Sequence, residues 1–331
     1  MSEKVKFLEK WEDHWLLGPI VTYFRTNIGI LAAFAIMFIG LAIATPNFLT
    51  AGNWINVLRQ ITTNANLAIG VMAAIIINGI DLSGGATIAL SGCVSVQMIV
   101  LFDLPIPLAV GLGLLVGIMV GLLNGSVIAF TGMPPFIVTL ATQNICRGAA
   151  YLVADGKPIR IQNDIFEKIG TGYWGPIPYP VIYTIVILAF GYFVLNRTRF
   201  GRQIYAVGGN REAARFSGIK TWRVELLVYT FSGLFAAVAG IVLAARMASG
   251  QPKVGEGYET DAVAAAVLGG ASMSGGVGTI GGMFVGALVI GILSNGLNLL
   301  NVNSFWQYVA KGVVILIAVY IDMFRKRKQR F

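Results

Sequence analysis

The sequence predicts an all-α integral membrane protein of about ten transmembrane helices, with glycine-broken segments toward its C-terminal end. Three observations lead there. Of 331 residues, 56% are hydrophobic and only 12% are Asp, Glu, Lys or Arg. That charged share is about half the usual for a soluble domain, and the mean hydropathy is +0.76. Apolar runs of span length recur between proline, glycine and charge. At about 20 residues per span, roughly 200 residues of helix give about ten crossings and leave no room for a soluble catalytic domain. Finally, the net charge of +9 sits at the edges of apolar runs. That suits a chain facing a lipid bilayer better than one binding nucleic acid.

Residues 1–27 read as a cytoplasmic amphipathic segment, with Lys4, Lys6, Lys10 and Arg25 among Trp11, Trp15, Leu16 and Leu17. No apolar core with a small-residue cleavage site follows those charges, so a surface helix fits better than a signal peptide. A polytopic transmembrane domain spans 28–324. Its first span, about 28–44, stops at Thr45-Pro46-Asn47, because proline cannot continue a helix. Further spans are expected at about 57–78, 86–102, 108–130, 136–154 and 180–195. A polar stretch, 155–178, separates the last two. A basic loop, 196–223, precedes a seventh span at 225–245. Residues 259–299 are apolar but cut by Gly269-Gly270, Gly275-Gly276 and Gly281-Gly282. They read as a short eighth span at 260–271 and a ninth at 280–299. A tenth, 305–324, runs into the basic cytoplasmic tail 325–331.

Lys and Arg distribution sets the orientation. With ten crossings, the N-terminus, the 196–223 loop and the C-terminus share one side, holding four, seven and five basic residues. Both termini are therefore expected in the cytoplasm.

Gly113, Gly117, Gly121 and Gly125 lie at steps of four along one face of the fourth span. Such a face lets another backbone come close, within the chain or across a dimer seam. Ala236, Gly240 and Ala244 repeat the theme in the seventh span.

Polar residues inside spans are costly and by default point to function. The candidate translocation path comprises Asn64, Asn66, Asn78, Asp81, Gln143, Asn144, Asn295 and Asn298, with Asn124, Arg147 and Lys311 nearby in the spans. Uncharged amides both donate and accept hydrogen bonds, which suits a neutral polyhydroxy solute. Ordinary helix–helix hydrogen bonding is the alternative. No carboxylate is read deep in a span, and no acid–base pair is read in the path. This argues against proton- or sodium-coupled transport. Asp81 and Asp261 each adjoin small-residue stretches, making 79–92 and 259–276 a candidate internal repeat.

Other chemistry finds little support. Cys93 and Cys146 sit in apolar runs, and His14 is the only histidine. No metal site is expected. Gly276-Val277-Gly278-Thr279-Ile280-Gly281 matches a dinucleotide fingerprint but follows no strand. No G-x-x-x-x-G-K-[ST] occurs, so the chain does not hydrolyse a nucleotide by a P-loop, and no clustered intramembrane acid, histidine or metal set points to a membrane enzyme.

In the basic loop, Asn210 is a good N-cap, Glu212 suits the first turn and Gly218 suits the C′ position. A two-turn helix outside the membrane is expected, with Ala213 and Ala214 on a narrow face and Phe216 as an apolar anchor.

These residues carry a resemblance. Glu212-Ala213-Ala214-x-x-x-Gly218 is similar to the EAA signature of permease subunits in ATP-binding-cassette importers. The surrounding GGNREAARFSGI resembles its form in ribose/xylose/arabinose-type sugar permeases. So do Gly79-Ile80-Asp81-Leu82-Ser83, LGGASMSGGVGTIGG (268–282), GILSNGLNLLNV (291–302) and Phe305-Trp306-Gln307. Where that family usually continues Ser83 with Val-Gly, Gly84-Gly85 stand here. The resemblance implies a multi-pass permease of the inner membrane, importing a monosaccharide such as a pentose by alternating access. It implies four partners: an ATPase subunit holding the ATP and magnesium, an extracytoplasmic sugar-binding protein, a second permease copy and the bilayer. This chain itself would carry no cofactor. Residues 210–218 would be the helix that docks on the ATPase. Open alternatives are another small solute (a polyol, a furanone, a branched-chain amino acid) and a stand-alone channel or secondary transporter.

Overall fold

A computed structural model describes residues 28–329. The segment expected at 1–27 lies outside the described residues. Thirteen helices account for most of the described chain. Six bracket the first spans and the polar stretch: α1 (Ile28–Ala44), α2 (Ala51–Ile76), α3 (Gly84–Val100), α4 (Ile106–Thr131), α5 (Pro135–Val153) and α6 (Asp164–Thr171). Next come α7 (Tyr179–Arg197), α8 (Arg199–Gly209), α9 (Arg211–Phe216) and α10 (Thr221–Arg246). The chain closes with α11 (Tyr258–Leu268), α12 (Ile280–Leu299) and α13 (Ser304–Gln329). Four of these, α4, α7, α10 and α12, are long and apolar enough to cross a membrane by length and composition.

The packing is inside-out relative to a soluble protein. Leu115, Met119 and Leu123 of α4 and Ile185, Val186 and Phe193 of α7 are exposed apolar side chains. In lipid such a face needs no polar cover. The polar helix is instead in the centre. Every residue of α2 from Ile61 to Ile76 is buried, including Thr62, Thr63, Asn64 and Asn66. Lipid cannot solvate those amides, so neighbouring helices must.

Glycine makes the centre close enough. The α4 glycine face lies against α10 and α3. A Cβ on Gly117 would run into the Gly233 carbonyl, and one on Gly121 into the Tyr229 carbonyl. One on Gly125 would sit 2.7 Å from Leu226 Cα. Gly113 faces Ser95 of α3, and Gly240 of α10 faces the Ile88 carbonyl. The stripe is thus filled within one chain.

The polar stretch 155–178 holds structure that periodicity did not announce. Strand β1 (Ile159–Arg160) precedes α6, and β2 (Tyr173–Trp174) and β3 (Ile177–Pro178) form a hairpin after it. Asn163 Oδ1 caps α6 by accepting from the amides of Ile165 and Phe166, both at 3.1 Å. Antiparallel to β1 runs β4 (Ser249–Gly250), pinning the segment after α10 to this end of the molecule.

Helix α11 has 11 residues, so it rises only about 16 Å, roughly half a hydrocarbon core. The chain then turns through Gly270, Gly275 and Gly276, all at positive φ, which only glycine adopts without strain. This turn lies at the end of the molecule that holds the α2 C-terminus, where Gly275 and Gly276 are partly buried against Gly208 and Gly209. The Gly276 amide donates to the Ile76 carbonyl at the end of α2, at 2.8 Å. The two stretches compared as a repeat meet rather than match. Gly85 packs against Glu259 and the Gly255 carbonyl, but Asp81 precedes its helix while Asp261 lies inside one.

Gly121→Ala should destabilise the protein by about 1–3 kcal/mol, as overpacking does. Gly111→Ala on the same helix meets nothing within 4 Å and should be neutral or stabilise by about 0.5–1 kcal/mol. Thermal unfolding of both variants in mild detergent checks the contrast.

Candidate functional site

At the end of the molecule that holds the α2 C-terminus, α9 stands out from the surface. Its local chemistry closes both ends. Asn210 Oδ1 accepts from the Ala213 amide at 3.0 Å. At the other end the Ile219 amide donates to the Ala214 carbonyl and the Gly218 amide to the Arg215 carbonyl, both at 3.0 Å. Gly218 has φ +84°, completing a Schellman termination. Ala214 is buried, Glu212 and Ala213 are exposed, and Phe216 is 86% exposed. The capped helix thus holds one large apolar ring out from the surface.

The helix is not loosely hung. The Arg211 guanidinium lies 2.8 Å from the Glu225 carboxylate at the start of α10. Glu225 is buried, so Arg211 supplies the charge that makes its burial tolerable. Upstream, α8 buries Ile204, Val207 and Gly208. A Cβ on Gly208 would overlap the Ile76 carbonyl. Tyr205 donates its hydroxyl to the Gly278 carbonyl at 2.7 Å. Burial pushes the Tyr205 phenol above its ordinary pKa, which keeps it a donor. So α9 is joined through α8 to the end of α2 and to the glycine turn between α11 and α12.

Deeper inside, the polar residues read from the sequence fall into separate groups. Gln143 Nε2 donates to Glu259 Oε1 at 3.1 Å. Arg147, one turn along α5, donates through Nη1 to the Pro252 and Val254 carbonyls, both at 2.7 Å. Lys311 of α13 lies 2.6 Å from Asp261 Oδ2, and Asn64 of α2 sits beside that carboxyl. Asn64, Gln143, Arg147, Glu259, Asp261 and Lys311 therefore surround the start of α11. Asn64 Oδ1, Arg147 Nη2 and Glu259 Oε2 are buried with no hydrogen-bond partner among the described residues.

The other candidates lie elsewhere. Ser83 donates through its amide and hydroxyl to Asp81 Oδ1, at 2.9 and 2.6 Å, and Asn124 Nδ2 donates to Ser83 Oγ at 2.9 Å. Asn295 forms a reciprocal amide pair with Asn53, at 2.8 and 3.1 Å, joining α12 to α2. Asn66 is buried in α2, its Oδ1 without a partner among the described residues. Asn78 is exposed in the turn after α2 with φ +64°. Asn144 is exposed and donates to its own Leu140 carbonyl. Asn298 is exposed and accepts from Gln307 Nε2 at 2.8 Å.

One sequence reading needs correction. The path was expected to hold no deep carboxylate and no acid–base pair, yet Asp261 and Glu259 are buried and Asp261 pairs with Lys311. The partners are 50 positions apart, so no local spacing could reveal them. Nothing in the sequence singles out Glu259; it lies in the first turn of α11, a position that favours acids for local reasons.

Asp261→Asn should cost about 3 kcal/mol, because it strands an ammonium on a mostly covered side chain. The double variant Asp261→Asn/Lys311→Met should regain most of that loss. Unfolding midpoints of the three proteins in detergent measure it, and a double variant no better than the single would mean the two groups are not coupled.

Comparison with known proteins agrees with this architecture. The family model described as "Branched-chain amino acid transport system / permease component" matches residues 53–319. The ribose import permease protein RbsC of Haemophilus influenzae is 39% identical, covering 96% of this chain and 98% of that protein. RbsC of Bacillus subtilis is 46% identical over 89% of this chain and 92% of its own length. The L-arabinose transport system permease protein AraH of Escherichia coli K12 is 39% identical over 91% and 92%. No solved structure gives a significant match. With the family model covering most of a chain whose helices turn apolar faces outward, this protein belongs to the transport-system permease-component family and is a multi-pass all-α membrane protein.

Proposed function

We propose that the chain is the permease subunit of an ATP-driven importer that moves a pentose such as ribose into the cytoplasm. Names of relatives at 39–46% identity over about nine-tenths of the chain support the sugar. In this reading a separate ATPase subunit holds ATP and magnesium, an extracytoplasmic binding protein delivers the solute, and a second copy of the chain completes the pore. Both termini and the 196–223 loop face the cytoplasm, and ten crossings make up the membrane domain.

The observation that carries the proposal is the tie between α9 and the centre of the membrane domain. Phe216, with Glu212, Ala213 and the Gly218 turn, forms the contact offered to the ATPase. Displacement of α9 bears on α10 through Arg211–Glu225, and on α2 and the glycine turn through Gly208 and Tyr205. The α2 and α11 segments so reached carry Asn64, Glu259 and Asp261. Lone acceptors such as Asn64 Oδ1 and Glu259 Oε2 suit sugar hydroxyl donors. Few such groups are needed when a binding protein does the selecting.

A second reading keeps the architecture and changes the cargo. The family model's description and the Asp261–Lys311 pair favour a branched-chain amino acid, whose head group carries both charges. Against it, these two groups already neutralise each other across α11 and α13. Uptake of labelled ribose, arabinose and leucine by cells expressing the chain with its ATPase separates the two readings.

Phe216→Asp and Gly218→Pro should each reduce ATP-driven uptake at least tenfold while the chain remains folded in the membrane. Losing one buried aromatic contact of about 2 kcal/mol already weakens docking by tens-fold. Full uptake by Gly218→Pro would remove the docking assignment.

A further inference from the structure

Beside α9 a second feature faces the same end of the molecule, sharing only Gly218 with the docking contact. An open cleft of about 480 Å³ lies between the start of α8 and the start of α10. Arg199, Lys220 and Arg223 line it, with Gln203 and the apolar walls Phe200 and Leu227. The three cations are exposed, and the structure gives none of them a carboxylate partner among the described residues. Within 198–228 the only acids are Glu212 and Glu225, and Glu225 is occupied by Arg211.

The cleft does not open on water alone. Its wall residue Phe200 also lines a narrow apolar crevice with Phe190, Val194 and Phe231 on the flank of α7 and α10. Phe190 is exposed there, on a helix apolar enough to cross a membrane. At the level of the cleft, Trp222 packs on Phe130 with ring centroids 5.6 Å apart. The Arg223 guanidinium lies 5.0 Å from the Trp222 ring centre. Exposed aromatic rings beside cations mark the membrane–water boundary. The site is thus cationic toward the aqueous side and apolar toward the lipid side, continuous through one phenylalanine.

We propose that this cleft binds the phosphate-bearing headgroup of an anionic phospholipid, with the first part of an acyl chain lying along the Phe190–Phe231 crevice. Arg199 and Arg223 hold the phosphate oxygens, as guanidinium groups do by paired N–H donation. Lys220 adds a third charge, and Gln203 a neutral donor. The position, adjoining Gly218, puts the lipid next to the helix that moves in coupling, so lipid composition tunes transport as well as folding.

The test uses the full chain purified in neutral detergent and reconstituted in nanodiscs of phosphatidylcholine with or without phosphatidylglycerol. Native mass spectrometry counts retained phosphatidylglycerol. The wild-type chain should keep it against a large excess of phosphatidylcholine. The Arg199→Gln/Lys220→Gln/Arg223→Gln variant should weaken retention on the order of a hundredfold, at roughly fivefold per cation. Arg202→Gln/Arg215→Gln, which removes charge from α8 and α9 outside the cleft, should retain the lipid. Leu227→Trp keeps every charge and should lose retention by filling the groove, so a misfolded triple variant would not decide the matter. Equal loss in the Arg202/Arg215 control would overturn the proposal in favour of diffuse surface charge. Displacement by millimolar inorganic phosphate, with no dependence on Leu227, would overturn it in favour of a soluble phosphate ligand. Retention unchanged in both the triple variant and Leu227→Trp would place the lipid elsewhere.

Discussion

Everything in this structure depends on backbone-to-backbone contact at glycine. Inside a bilayer, apolar side chains gain little by leaving lipid for protein, so helices associate through close packing and polar contacts. Gly117 and Gly121 bring α4 onto the carbonyls of α10, Gly240 brings α10 onto α3, and Gly208 brings α8 onto the end of α2. A single Cβ at any of these points would force the helices apart. The seam makes α10 a hub between the lipid-facing α4 and the buried α2. A helix carrying four polar residues within five positions, Thr62, Thr63, Asn64 and Asn66, is thereby enclosed.

The same constraint shapes the link between the surface and the interior. The α11 segment is too short to cross alone, and its return through Gly270, Gly275 and Gly276 leaves carbonyls and amides outside any regular helix that need partners. Ile76 and Tyr205 supply them. A structural repair of irregular backbone therefore also joins α8 and α9 to the polar groups at the start of α11. In the proposed importer these few ties are the points through which a displacement of α9 would reach the interior. The Asp261–Lys311 pair fits this picture as the bond that holds α13 to α11.

Helix positions were legible in the sequence because the chain marks them twice, by apolar length and by Pro or Gly at the ends. The expected spans at 28–44 and 280–299 coincide with α1 and α12, and the rest differ by a few residues. The α9 caps were legible too, since Asn210 and Gly218 act within three or four residues. The α6 helix and the β1–β4 pairing were not. Two-residue strands carry no period, and their partners lie about 90 positions apart. The polar interior was legible by residue type but not by grouping. Gln143 and Asn144 are neighbours in sequence, yet one reaches Glu259 and the other faces outward. Asn295, read with the path, is engaged by Asn53. Only tertiary packing separates these outcomes, and one sequence does not contain it.

The most direct measurement is recovery of this chain from its native membrane in mild detergent, with bound proteins identified by mass spectrometry. A P-loop ATPase should come with the wild-type chain and be lost when Phe216 is changed to Asp. An abundant, intact chain without an ATPase would contradict the coupling role of residues 210–218 and leave a stand-alone transporter or channel.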